Sequence, residues 1–133
     1  MSCSNSKQAY LFTSFREPAT EGLYLASSED GYHWKDLGGD YLKPEIGFSE
    51  TKIMRDPSIV KGKNGVYHMV WTTDWKGGNG FGYASSKDLI HWSKQQYISV
   101  MNHEPEVVNV WAPEIFYDEE RDQYIIFWAS TIP

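Results

Sequence analysis

Two stretches of this chain carry the same pattern. GLYLASSEDGYHWKDL (22–37) and GFGYASSKDLIHWSKQ (80–95) share Ala26/Ala84, Ser27/Ser85, Ser28/Ser86, Asp30/Asp88, His33/His91 and Trp34/Trp92, at a constant offset of 58 residues. An aromatic run precedes each: AYLFTS (9–14) and VYHMVWTT (66–73). A third, QYIIFWAST (123–131), follows, and Tyr10, Tyr67 and Tyr124 are spaced by 57. DPSIV (56–60) pairs in the same way with APEIF (112–116). A fixed period of this size, built from short strand-like runs, marks an array of one repeated unit. Each unit reads as four strands joined by turns. In the middle unit the strands are expected near 58–61, 66–73, 80–85 and 97–101, with Lys63-Asn64-Gly65 as a hairpin signal. No segment holds a helical period with caps. Four-stranded antiparallel units in series are the blades of a β-propeller. A sandwich also uses short strands, but it does not repeat motifs at this spacing.

The expected fold is therefore all-β, with a partial first blade, a full second and half of a third. Two and a half blades cannot close, and closure is what removes the open edges of a propeller. Residues 9–133 are expected to be the N-terminal part of a longer propeller, truncated at its C-terminal side, behind a flexible tether at 1–8. The sequence has one cysteine, Cys3, so an internal disulfide is excluded. Its setting, MSCSNSKQ, is similar to the start of a mature bacterial lipoprotein, with lipid on the thiol. The only membrane link expected is that lipid, because no apolar run approaches the length of a span. Twelve basic residues against eighteen acidic give a net charge of −6, which argues against a nucleic-acid surface.

Blade topology sorts the motifs by end. In an up-and-down blade the start of the innermost strand and the end of the second strand lie together. Arg55 and Asp56 precede the innermost strand of the second blade, and Asp74 and Trp75 follow its second strand. Trp111 and Glu114 flank the matching start in the third blade. Ser14, Phe15 and Arg16 follow the second strand of the first. All are expected around the mouth of the central channel. The SSEDGYHW and SSKDLIHW turns fall at the opposite end. There Ser and Asp are expected to close a turn, Trp to pack between blades, and His33 and His91 to be scaffold.

The stretch MRDPSIVKG (54–62) carries the chemistry. Pro57 is expected to hold Asp56 in an extended backbone, aimed at the channel. Arg55 is expected to pair with Asp56 and keep it ionised. Trp75 and Trp111 suit the apolar faces of sugar rings. A carboxylate beside aromatics in a concave polar pocket is what glycoside hydrolysis uses. The bland reading of Arg55–Asp56 is a turn pair.

RDPSIV and WAPEIFYD, each heading a blade, resemble glycoside hydrolase family 43, from residue 9 almost to the end of the chain. The resemblance implies a five-bladed propeller and an inverting hydrolase of arabinose- or xylose-containing plant polysaccharides, secreted or held in the cell envelope. It implies that Asp56 is the general base. A pKa-tuning Asp and a general-acid Glu would come from later blades, so this stretch alone is expected to be inactive. Arg55, Asp74, Trp75 and Trp111, placed at the mouth by topology, are expected with Glu114 to contact an oligo- or polysaccharide; the resemblance implies that Glu114 is structural or substrate-contacting and does not serve as the acid. No cofactor is implied. Some members hold a calcium ion in the channel, but no acidic cluster in this sequence supports one. The competing expectation is a non-catalytic propeller that binds glycans or a protein.

Overall fold

The repeat is realised as three antiparallel sheets in a computed structural model that describes residues 8–133. Cys3 and all of the expected tether but Gln8 lie outside the described residues. The first sheet is β1 (Tyr10–Ser14), β2 (Tyr24–Ser28) and β3 (Lys35–Gly38). The second is β4 (Arg55–Lys61), β5 (Tyr67–Thr72), β6 (Gly80–Ser86) and β7 (Gln96–Ser99). The third is β8 (Trp111–Asp118) and β9 (Gln123–Ala129). Every pairing joins neighbours in sequence, and no helix occurs among the described residues. The chain thus holds part of one propeller blade, a complete blade and half of another. The Tyr10, Tyr67 and Tyr124 alignment makes β1 a second strand, so the first sheet lacks the innermost one.

The second strand of the middle sheet is buried on both faces from Met69 on, which is why Met69–Trp71 reads as an apolar run. Alternate residues of β5 enter two different cores. Met69 and Trp71 join Leu23, Leu25, Met54 and Ala84 on the side of the first sheet. Val70 joins Phe81, Val110 and Ile115 on the side of the third. Each such large apolar side chain contributes roughly 1.5–3 kcal/mol by leaving water. Trp71 lies so close to β6 that a Cβ on Gly82 would sit 2.2 Å from its ring. Only glycine fits there.

The two SxDxxHW turns fold identically. Ser28 Oγ accepts from the Gly31 N–H, and Asp30 Oδ1 accepts from the His33 N–H, both at 2.8 Å. Ser86 and Asp88 repeat this with Leu89 and His91, also at 2.8 Å. The His33 amide, then its ring, hold the Asp30 carboxyl well below the usual carboxylate range, and His91 does the same to Asp88. Both histidines are spent on closing a turn. Trp92 packs against the core between the first two sheets, while Trp34, 45% exposed, meets Phe12 edge to face and donates its indole N–H to the Gly31 carbonyl.

Candidate functional site

At the start of β4 the strand breaks register. Arg55 pairs with Thr72 and Ser58 with Val70, so two residues of β4 face the single Trp71 of β5, a bulge of one extra residue. Asp56 is one of these, with φ of 50°. This corrects the expectation of an extended Asp56. Proline favours an extended backbone for the preceding residue, but the bulge overrides that local preference and holds Asp56 at positive φ. The start of β8 does the same: Trp111 pairs with Ala129, Glu114 with Phe127, and Ala112 before Pro113 has φ of 46°. Non-glycine residues held there carry strain of about 1–3 kcal/mol each. The strained seat therefore belongs to the blade unit. Asp56 fills it in the second blade and Ala112 in the third.

Asp56 lines an open cavity of about 350 Å³ bounded by β1, β4 and β8, beside the edge of β1 that is unpaired among the described residues, together with Thr13, Ser58 and Glu114. Thr13 Oγ1 donates to the Pro57 carbonyl at 2.6 Å, and the Ile115 N–H donates to Ser58 Oγ at 3.2 Å. These bonds tie β4 to the blades on either side. Asp56 Oδ2 accepts from Thr72 Oγ1 at 3.0 Å, and Oδ1 takes no bond from the described residues. Glu114 is exposed on the same wall.

Arg55 does not pair with Asp56. Its Nη1 meets Glu17 Oε1 at 2.5 Å, and its guanidinium lies 4.3 Å from the centre of the Trp75 ring and 5.0 Å from that of Phe15. Successive strand residues point to opposite faces, so neighbours in sequence rarely share a partner. Trp75 in turn stacks on Trp111, with centroids 5.4 Å apart, and the Trp111 indole N–H donates to the Trp75 carbonyl at 3.0 Å. Phe15, Arg55, Trp75 and Trp111 form one aromatic–cationic wall, with Trp75 still 52% exposed. Arg16, expected at the same mouth, turns aside to Asp36 and Tyr24.

Asp74 departs further from expectation. It is 2% exposed, and Oδ1 accepts from the Phe48 N–H, the Ser49 N–H and Ser49 Oγ at 2.8, 2.9 and 3.2 Å. Oδ2 accepts from Thr73 Oγ1 at 2.8 Å. The loop between β3 and β4 folds over it and closes it off, so it anchors that loop instead of facing the channel. Thr72 was missed by sequence reasoning, since only the register of β4 on β5 reveals it. Among the described residues no group of three or more His, Cys, Asp or Glu side chains is placed to hold a metal ion.

Two solved structures resemble this fold. One is a Bifidobacterium bifidum s17 protein assigned as an exo-beta-1,3-galactanase, with TM-score 0.70 and 15% identity over 92% of this chain and 41% of that one. The other is the GH43 beta 1,3 galactosidase BT0265, with TM-score 0.61 and 14% identity over 92% of this chain and 27% of that one. The chain thus spans well under half the length of either. No curated protein matches it. The family model described as a probable glycosyl hydrolase domain, related to glycoside hydrolase family 43, matches residues 5–133. With that match covering nearly all of its length, the chain belongs to the family 43-related glycosyl hydrolases.

Proposed function

We propose that this chain supplies the general base of a glycoside hydrolase that cleaves O-glycosidic bonds with inversion. The observation that carries the reading is Asp56 in its strained seat on the cavity wall, where Ala112 repeats the backbone without the carboxylate. Asp56 takes a proton from water as the water oxygen bonds to the anomeric carbon. The glycosidic C–O bond breaks on the opposite face, and the leaving oxygen is protonated by a carboxylic acid from a later blade. An inverting pair stands roughly 6.5–9.5 Å apart to admit that water. Trp75 and Trp111 offer ring surface to the sugar, Arg55 braces Trp75, and Glu114 accepts from substrate hydroxyls.

Both similar structures are named for β-1,3-linked galactose, which favours a β-galactan over the arabinose- or xylose-containing glycans implied by sequence. The test is Asp56→Asn in the whole protein, assayed on β-1,3-galacto-oligosaccharides, arabinosides and xylosides. The expected result is a loss of about 10²–10⁴ in kcat with KM little changed. Near-normal kcat in a folded Asp56→Asn protein makes Asp56 a bulge residue only. A wild-type protein that binds these glycans and cleaves none is a glycan-binding propeller.

A further inference from the structure

Thr72 ends β5 and is 1% exposed. Its hydroxyl oxygen meets groups on two other strands. The Ala112 N–H of β8 donates to it at 2.8 Å, and Asp56 Oδ2 of β4 lies 3.0 Å from it. A hydroxyl has one proton to give and lone pairs with which to accept. Since the Ala112 N–H can only donate, the Thr72 proton points at Asp56. The bonds run in one direction, from the third blade through the second blade's own threonine to its carboxylate. Such chains strengthen one another away from water.

The third blade serves as an internal control. Its bulge has the same register shift and the same positive φ at Ala112. The position of Thr72, opposite Arg55, is there occupied by Ala129, opposite Trp111. The carboxylate and the hydroxyl are both present in one blade and both missing from the other. The bulge needs neither of them to form.

We infer that Thr72 is the positioning residue of the base. It fixes Asp56 through Oδ2, so that Oδ1 is the oxygen presented to water, and docking of the third blade sets the hydroxyl's direction. This rests on Asp56 being the base. The rival account is that Thr72 only satisfies the Ala112 N–H.

Thr72→Val, Thr72→Ser and Asp56→Asn, made in the whole protein, separate the two. Losing a hydrogen bond to a charged acceptor should cut kcat of Thr72→Val by roughly 10–100-fold. KM should stay within about threefold, because the bond serves the chemical step. Thr72→Ser keeps the hydroxyl and should recover most of kcat. A purely structural threonine would lower the melting temperature of Thr72→Val and leave the kcat of the folded protein alone. Thr72→Val with wild-type kcat beside an inactive Asp56→Asn overturns the positioning role and leaves the base in place. Serine as poor as valine overturns it too, and an active Asp56→Asn removes both readings together. If Thr72→Val does not fold, Thr72→Cys takes its place, its thiol being a weak donor. The same loss of kcat then supports the role, and wild-type kcat overturns it.

Discussion

Asp74 distinguishes what the sequence implies from what the fold does with it. Replacing it by alanine strips the Phe48 and Ser49 amides of their shared acceptor, and both lie within 2.9 Å of Oδ1. The buried Thr73 hydroxyl also loses its acceptor, at about 1–3 kcal/mol, while Phe48 and Ser49 are exposed and water can reach their amides, so each of those two bonds is worth only about 0.5–1.5 kcal/mol. The loop cannot easily move to find substitutes. Gly47 has φ of 130°, and a Cβ there would lie 2.9 Å from the Thr73 carbonyl, so its packing is already at the limit. Asp74→Asn keeps a carbonyl oxygen for both amides and loses only the charge-assisted part, about 1 kcal/mol. Urea unfolding of the two variants in the whole protein should therefore rank Ala well below Asn. Since each kcal/mol moves a midpoint by about 2–8 °C, heating should resolve the difference. Michaelis kinetics on the folded variants should leave KM for Asp74→Asn near wild type. If Asp74→Ala is as stable as wild type and its KM rises, the anchor argument fails and Asp74 is a substrate contact.

Gly82→Ala should destabilise by about 1–3 kcal/mol, because the new methyl overlaps the Trp71 ring; a wild-type midpoint in denaturant would refute the close approach. His68 gives a pH signature. Its Nδ1 meets the Tyr83 hydroxyl at 2.7 Å, its Nε2 is buried without a partner among the described residues, and burial lowers its pKa. The fold favours the neutral ring, while the unfolded chain protonates it near its ordinary pKa of about 6.5. His68 therefore costs nothing above that pH. Stability should fall as pH drops below it, down to the lowered folded-state value. Denaturant midpoints taken from pH 8 to pH 5 should show that slope in wild type and a flatter one in His68→Gln.

The blades were legible because each is one local unit, and a unit repeated at constant offset leaves its strands and turns in register along the chain. Lys63-Asn64-Gly65 makes its turn with Gly65 at φ of 80° and Asn64 Oδ1 accepting the Val66 N–H. The mouth residues Arg55, Trp75 and Trp111 meet because topology alone puts those strand ends together. What stayed hidden depends on side-chain direction and non-local closure. The Asp56 conformation follows from a bulge that shifts register by residues no pattern marks. Arg55 finds Glu17 across 38 positions of chain. Asp74 is buried by a loop without period, and Thr72 matters only once β8 has docked.

The repeated bulge bears on how such a molecule could change its chemistry. The same strained bulge opens both described innermost strands, each time before a Pro, and it forms around alanine as well as around aspartate. The costly part, a strained turn braced by neighbouring strands, is therefore inherited with each duplicated unit, and the reactive group is a single side chain placed upon it. Ala112 and Ala129 hold in the third blade the places of Asp56 and Thr72. Two substitutions, Ala112→Asp and Ala129→Thr, would set a second carboxylate–hydroxyl pair on the neighbouring blade.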